Sequence, residues 1–143
     1  IMKVAIGADH AGFEEKEKVK KILDEIGVEY IDLGTNSPDS VDYPDYAKKV
    51  GEAVAQGEVE QGILVCGSGT GMAISANKVH GVRAAVAWNE DIARLAREHN
   101  NANVLALAGR FISEEENAKI IKAWFDAKFE GGRHATRVGK IEE

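Results

Sequence analysis

Cysteine is almost absent from this sequence, since Cys66 is the only one among 143 residues. No disulfide can form within the chain, and an unpaired thiol is typical of a reducing compartment, so we expect a cytoplasmic protein. No segment stays apolar over the length of a membrane span, which argues against a membrane protein. The first residues lead directly into a strand pattern, and we therefore expect no signal peptide.

Positive charge is also scarce, because 18 Lys and Arg residues stand against 24 Asp and Glu residues, a formal net charge of -6 at pH 7. Nucleic acids and anionic membranes are bound through basic surfaces. We therefore expect neither a nucleic acid nor a membrane as a partner. A local basic cluster can still bind a small anion.

Several motifs that would identify a cofactor are missing. No His-Glu-x-x-His segment and no paired-cysteine spacing indicates zinc. A glycine-rich loop at 67–71 does not complete a dinucleotide fingerprint, because it follows the third predicted strand and Met72 comes next. In a cysteine phosphatase an arginine would close the loop at position 72, where this chain has Met. No Walker Lys-Ser/Thr pair or Gly-x-Ser-x-Gly elbow is present. The sequence therefore predicts no metal and no cofactor.

Glycine, by contrast, is abundant, with 15 residues that suit tight turns between strands and helices. Apolar runs predict five strands, at 2–6, 28–33, 63–66, 82–87 and 104–107. Amphipathic segments or capping signals predict helices at 12–26, from Pro44, at 72–77, after Asn89 and after Ser113. This alternation predicts an α/β fold, a five-stranded parallel sheet covered on both faces. Without a linker or repeat, we expect one domain over 1–143, with a basic tail at about 131–143.

Chemically capable residues follow the predicted strands. Asp9 and His10 follow the first strand, and Cys66 with the loop 67–71 ends the third. Because ligands of parallel sheets bind beyond the carboxyl ends of the strands, a binding site is expected here.

The glycine loop and Cys66 each allow more than one interpretation. Alternating glycines can turn successive N–H groups toward a phosphate or an oxyanion, and they equally suit a tight strand-to-helix turn. Beside this loop and a helix N-terminus, we expect the pKa of Cys66 to be lowered, as in a reactive thiol. The alternatives are a small buried apolar residue or a redox-sensing thiol.

The other candidates are weaker when taken alone. Asp9 is either an acid–base group or the cap of the first helix. His99 lies near the predicted C-terminus of a helix, where a cation is common. Arg133 and Arg137 share a face if the tail is helical, and then form a phosphate clamp; otherwise they belong to a solvated tail.

Five segments together resemble the B-type ribose-5-phosphate isomerases, a family that includes allose-6-phosphate and galactose-6-phosphate isomerases. The resemblance extends from residue 2 to about residue 138. The segments are Gly7-Ala8-Asp9-His10-Ala11-Gly12, Val41-Asp42-Tyr43-Pro44-Asp45-Tyr46, Cys66-Gly67-Ser68-Gly69-Thr70-Gly71-Met72, Ser75-Ala76-Asn77-Lys78 and Arg97-Glu98-His99-Asn100. Each is weak alone, but their order along one short chain is specific.

The resemblance implies a Rossmann-like α/β/α sandwich, a homodimer or a dimer of dimers with shared active sites, and no cofactor. It assigns catalytic roles to Cys66 as the base between C1 and C2, to His99 and Asp9 in ring opening, and to Ser68 in the anion-hole loop. It also implies contacts to the sugar phosphate from a larger set, namely His10, Tyr43, Gly67, Gly69, Thr70, Gly71, Asn100, Arg133 and Arg137.

The helix after the glycine loop indicates which branch of the family the chain matches. Part of the family uses a glutamate base on the helix after the loop, but residues 73–76 contain no acid, so the cysteine branch is the better match. Thr70 stands where many members carry an aliphatic residue, with no functional consequence expected. The resemblance therefore implies isomerisation of ribose 5-phosphate and ribulose 5-phosphate through an enediolate. A six-carbon sugar phosphate and a non-catalytic phosphate-binding module are the alternatives.

Overall fold

The protein, described over residues 2–143 by a computed structural model, is built on one five-stranded parallel sheet. The strands lie in the order β2-β1-β3-β5-β4. They are β1 (Lys3–Ala8), β2 (Glu29–Asp32), β3 (Gln61–Cys66), β4 (Ala84–Val86) and β5 (Val104–Ala108). The predicted α/β fold with a five-stranded parallel sheet is confirmed.

Six α-helices and one short 3-10 turn connect and cover the strands. The turn is His10–Gly12, and the helices are α1 (Phe13–Ile26), α2 (Tyr43–Ala55), α3 (Thr70–Ala76), α4 (Glu90–Asn100), α5 (Glu114–Asp126) and α6 (Arg133–Ile141). The predicted caps are confirmed, since Asn89 Oδ1 accepts a hydrogen bond from Ile92 N–H and Ser113 Oγ from Glu116 N–H. Within residues 2–143, none of these helices combines the length and apolar character needed to cross a bilayer.

Side chains alternate along each strand and fill two separate cores, one on each face of the sheet. Ile63 and Val65 of β3 lie in the core covered by α1, α4 and α5. Leu64 and Cys66 lie in the core covered by α2 and α3. The alternation therefore directs the only thiol of the chain toward the face of α2 and α3.

All five strands differ from the predicted length by one to three residues, and contacts of side chains account for two of the differences. β3 starts at Gln61, two residues early, because Trp124 Nε1–H donates to Gln61 Oε1 at 2.9 Å and so allows a polar side chain to be buried. β4 has only three residues, and Arg83 N–H before it donates to Asn103 Oδ1 at 2.7 Å instead of to a neighbouring strand. The predicted basic tail contains helix α6 and buries Val138.

The connection from β1 to α1 packs directly against the backbone of β3. A Cβ atom on Gly12 would lie 2.2 Å from the Val65 carbonyl oxygen, so only glycine fits this approach. Asp9 N–H donates to the same Val65 oxygen at 3.3 Å. These contacts hold the first two polar residues after β1 beside the end of β3.

A buried ion pair fixes α1 to the end of β2. Lys16 is fully buried, and its Nζ donates to both carboxylate oxygens of Asp32 at 2.7 Å. Gly34 N–H and Lys20 Nζ donate to the same carboxylate. Burial raises the pKa of Asp32, but these three donors together outweigh it, and the pKa lies below its ordinary value.

We predict that Lys16→Met lowers the free energy of unfolding by about 3 kcal/mol at pH 7, because it leaves a partly buried carboxylate without its main partner. Urea denaturation measures the change. Since the folded pKa of Asp32 is depressed, the contribution of the pair is present above pH 4 and is lost as the pH falls through that lower value.

The matched control is Lys21→Met on the exposed side of the same helix, with an expected change within about 0.5 kcal/mol. Equal destabilisation by both substitutions would contradict a special role for the pair.

Candidate active site

A cavity of about 440 Å³ lies at the carboxyl ends of β1, β3 and β5. Its volume falls in the usual range for small-molecule sites. It is lined by Asp9, His10, Ala11, Tyr43, Cys66, Gly67, Ser68, Gly71, Arg110 and Phe111. We refer to it as the Cys66 cavity.

A second cavity, of about 500 Å³, lies at the opposite edge, beside the residues that precede β4 and β5. Its lining includes His80, Arg83, Asn100 and Ile141. It contains no thiol, and the chain's only nucleophilic sulfur lies in the other cavity. We therefore take the Cys66 cavity as the candidate active site.

Cys66 is the last residue of β3 and is only 6% exposed. Its burial raises the pKa of the thiol more than hydrogen bonds from the Met72, Gly69 and Ser68 N–H groups lower it, and the charge of Asp9 raises it further. The expected lowering of this pKa is therefore wrong. The loop supplies the donors that the sequence indicates, but desolvation of the sulfur at the strand end is the larger effect.

The glycine loop turns at least one of its N–H groups toward the sulfur. Gly69 adopts the left-handed conformation, with φ of 83°, and its N–H lies 3.1 Å from Cys66 Sγ. Gly71 packs under the ring of Tyr43, so that a Cβ there would lie 2.8 Å from a ring carbon. Ser68 and Thr70 are exposed to solvent. The N–H group of Gly69 is therefore placed to stabilise negative charge on the sulfur.

Asp9 and His10 are both held by backbone N–H groups. Asp9 Oδ1 accepts a hydrogen bond from Gly12 N–H at 3.0 Å, so this oxygen caps the 3-10 turn that leads into α1. His10 Nδ1 accepts one from Val41 N–H at 3.1 Å. A ring nitrogen that accepts a hydrogen bond carries no proton, so the neutral ring of His10 carries its proton on Nε2.

The structure adds Arg110 and Phe111 to the cavity, two residues that the sequence analysis missed. They lie two and three residues after the end of β5, so the rule that ligands bind beyond the carboxyl ends of the strands would have found them. Arg110 N–H donates to Gly67 O at 3.1 Å, and the Arg110 side chain passes over Gly67. The Arg110 guanidinium therefore adds a fixed positive charge to the lining of the Cys66 cavity.

Four of the residues predicted for the site lie elsewhere in the chain. His99 and Asn100 end α4, which returns the chain from the carboxyl edge of the sheet to the start of β5, and Arg133 and Arg137 lie on α6 beside it. None of the four lines the Cys66 cavity. Within one chain the predicted site residues therefore form two separate groups, because the parallel topology places these four at the amino edge.

His99 belongs to a compact cluster at this amino edge. Its ring stacks on the ring of His134, with centroids 4.2 Å apart. Glu130 Oε1 lies 3.7 Å from His99 Nε2 and 3.5 Å from His134 Nε2. Desolvation and the charges of His99, Arg133 and Arg137 lower the pKa of His134. His134 was not predicted as a site residue, although its spacing of four from Glu130 could have indicated the pair.

The sequence matches one family along nearly its whole length. The family model described as Ribose/Galactose Isomerase covers residues 4–141. Ribose-5-phosphate isomerase B of Escherichia coli is 49% identical over 97% of this chain and 93% of its own length. A putative sugar phosphate isomerase of Bacillus subtilis is 50% identical over 99% of this chain and 96% of its own length.

Solved structures agree with these matches. The ribose-5-phosphate isomerase B of Clostridium thermocellum has a TM-score of 0.97 and 51% identity, over 99% of this chain and 95% of its own. That of Mycoplasma genitalium, determined with bound ribulose-5-phosphate, has a TM-score of 0.93 and 43% identity, over 98% of this chain and 93% of its own. The sheet, the cavity at its carboxyl edge and these matches lead to one assignment: the chain belongs to the ribose/galactose isomerase family.

Proposed function

We propose that this protein interconverts ribose 5-phosphate and ribulose 5-phosphate, with Cys66 as the base. The observation that carries the proposal is the thiol itself, which lies in the Cys66 cavity with a loop N–H group 3.1 Å from its sulfur. Membership of the family and the ribulose-5-phosphate held by the Mycoplasma genitalium relative support the substrate.

In the proposed reaction the Cys66 thiolate removes the proton from C2 of the open-chain aldose. The electron pair moves into an enediolate whose oxygens carry the negative charge, and the thiol returns the proton to C1 to give the ketose. Preorganised N–H donors at such an oxygen contribute roughly 3–4 kcal/mol each in comparable sites. The exposed hydroxyl of Ser68, next to Cys66, is suitably placed to pass a proton between the two sugar oxygens.

Ring opening requires an acid–base pair, for which we propose Asp9 and His99. Asp9 lines the Cys66 cavity, whereas His99 lies at the amino edge of the sheet. Both can act on one sugar only if a second copy brings its amino edge to this cavity. We therefore propose a homodimer, or a dimer of dimers, in which each site is shared.

Exposed apolar side chains beside the Cys66 cavity support this assembly. Tyr43 and Phe111, which line the cavity, are 43% and 76% exposed, and Ile74 of α3 is 58% exposed. Contiguous exposed apolar surface is a common mark of a protein interface. In the proposed dimer, His10 and Arg110 of one chain hold the phosphate together with Arg133 and Arg137 of the other, while Tyr43 and Asn100 contact the sugar.

A six-carbon sugar phosphate is the second candidate substrate, because the family description names galactose as well as ribose. The same base and the same loop would serve both substrates. Comparison of kcat/KM for the five-carbon and six-carbon phosphates distinguishes them. Activity with neither would favour a non-catalytic phosphate-binding module.

We predict that Cys66→Ala lowers kcat for ribose 5-phosphate by about 10²–10⁴-fold, the usual contribution of a general base. Assays are run in EDTA, and calorimetry measures binding of the sugar phosphate, which we expect to persist. The control, Lys48→Ala on the exposed side of α2, should keep full activity. Undiminished turnover in Cys66→Ala would eliminate the thiol as the base.

The pH profile follows from the raised pKa of Cys66. Because the thiolate is the active form, kcat/KM and the rate of alkylation by iodoacetamide should both rise with pH and reach no plateau below about pH 8.5. A plateau reached near pH 7 would contradict the raised pKa.

A mixing experiment tests the shared site. Cys66→Ala and His99→Ala should each be inactive alone, but a hybrid dimer retains one site with both residues intact. Random co-refolding should therefore restore about one quarter of the wild-type activity, since half of the dimers are hybrids with one of two sites intact. No recovery, in a mixture shown to contain hybrids, would mean that each chain uses its own His99.

A further inference from the structure

The segment Ser75-Ala76-Asn77-Lys78 is shared with the family, yet none of its side chains lines the Cys66 cavity. Asn77 follows the last residue of α3, and its side-chain amide makes two hydrogen bonds to Ala84, the first residue of β4. Asn77 Oδ1 accepts one from Ala84 N–H at 2.7 Å, and Asn77 Nδ2 donates one to Ala84 O at 3.0 Å. The side chain therefore binds both polar groups of one backbone residue, as a neighbouring strand would.

The strand that Asn77 contacts is the edge strand of the sheet, since β4 pairs with β5 alone. Arg83 O accepts a hydrogen bond from Val104 N–H of β5 at 3.3 Å. Successive residues of a strand turn their N–H and C=O groups to opposite sides, so those of Ala84 face away from β5. The amide of Asn77 occupies this outer side and ties the end of α3 to the sheet.

A line of hydrogen bonds runs from Asn77 to the thiol. Asn77 N–H donates to Ala73 O at 3.0 Å, and Ala73 N–H donates to Gly69 O at 3.1 Å. Gly69 N–H in turn lies 3.1 Å from Cys66 Sγ. Because residues 69, 73 and 77 are four apart, they lie along one side of α3. The orientation of α3 therefore decides where the Gly69 N–H group points.

Helix α3 has only seven residues, too few to keep its own position without contacts to its neighbours. Gly51 of α2 approaches its end so closely that a Cβ there would lie 3.5 Å from Ala76 O. Close packing of this kind limits the distance between helices, whereas the paired hydrogen bonds of Asn77 also fix a direction. Asn77 and Gly69 are about 12 Å apart along the helix, so a tilt of about 5° displaces one end relative to the other by about 1 Å.

We propose that Asn77 is a positioning residue, whose two hydrogen bonds to Ala84 hold α3 in the orientation that directs the Gly69 N–H group at Cys66. Asn77 lines no part of the Cys66 cavity and so acts through the helix. Its effect on the thiol is independent of the substrate, whereas its effect on turnover rests on the proposed function.

The first experiment measures the thiol in Asn77→Ala, which lacks both hydrogen bonds. The side chain is exposed, so its removal leaves no cavity in the core, and circular dichroism verifies the fold. The rate of alkylation by iodoacetamide is followed against pH up to its plateau. We expect the midpoint to move to higher pH, and the rate at pH 7 relative to the plateau to fall about tenfold, as for the loss of one hydrogen bond to a charged group.

The midpoint is the decisive quantity, because altered access to the sulfur changes the rate equally at every pH. The titratable and charged side chains that line the cavity with the sulfur are Asp9, His10, Tyr43 and Arg110. All four lie outside α3 and the connection from α3 to β4. A shifted midpoint therefore reports on the loop N–H groups.

Asn77→Asp tests the geometry of the pair with a side chain of nearly the same size, and it also serves if Asn77→Ala does not fold. It keeps the acceptor for Ala84 N–H but places a carboxylate oxygen against Ala84 O, so we expect it to shift the midpoint as Asn77→Ala does. The matched control is Lys78→Ala, an exposed neighbour whose substitution changes the net charge by the same amount. Its profile should match that of the wild type.

Turnover of ribose 5-phosphate is measured on the same proteins. We expect kcat of Asn77→Ala at pH 7 to fall at least about tenfold, because a small misplacement of the loop affects the reacting atoms, and KM to change less than about twofold. Folded Asn77 variants with the wild-type midpoint, even if less stable to heat, would overturn the positioning role, as would an equal shift in Lys78→Ala. A shifted midpoint in a protein whose wild type does not turn over the substrate would refute the proposed function and leave the positioning role standing.

Discussion

All five strands run parallel, so every connection must carry the chain back from the carboxyl edge of the sheet to the amino edge. This constraint gathers the residues that follow β1, β3 and β5 into one cavity. It also places the residues that end α4 at the far edge. Both halves of the proposed catalytic site are thus consequences of one topological rule, and the separation of Cys66 from His99 within a chain follows from it.

The thiol illustrates how two opposing effects act on one atom. Loop N–H groups favour the thiolate, while burial at the end of β3 and the nearby charge of Asp9 disfavour it. A thiolate of raised pKa is a stronger base, but a smaller fraction of it is ionised at neutral pH, and the thiol is a weaker acid when it returns the proton to carbon. The glycine loop therefore moderates the cost of burial without removing it.

Much of the fold could be predicted from the sequence, because apolar runs and capping residues are local signals. Gln61 was not assigned to β3, since its burial depends on Trp124, a partner distant in sequence. The position of Cys66 beside the glycine loop could be predicted, but its pKa could not, because desolvation depends on the packing of the whole sheet. Arg110 was not predicted, because the residues after the fifth strand were not considered as site residues. Glu130 and His134 were not predicted, because their partner His99 lies on another helix.

The hydrogen bond from Val41 N–H to His10 Nδ1 has a consequence for which ligands the cavity accepts. With that nitrogen occupied, the neutral ring presents only a donor to the ligand. A phosphate or carbonyl oxygen satisfies such a group, whereas an ammonium group, which has no lone pair to offer, leaves two donors facing each other. In the proposed site, where His10 contacts the ligand, this backbone contact from a residue thirty-one positions away would therefore discriminate against an amino sugar whose nitrogen faces His10.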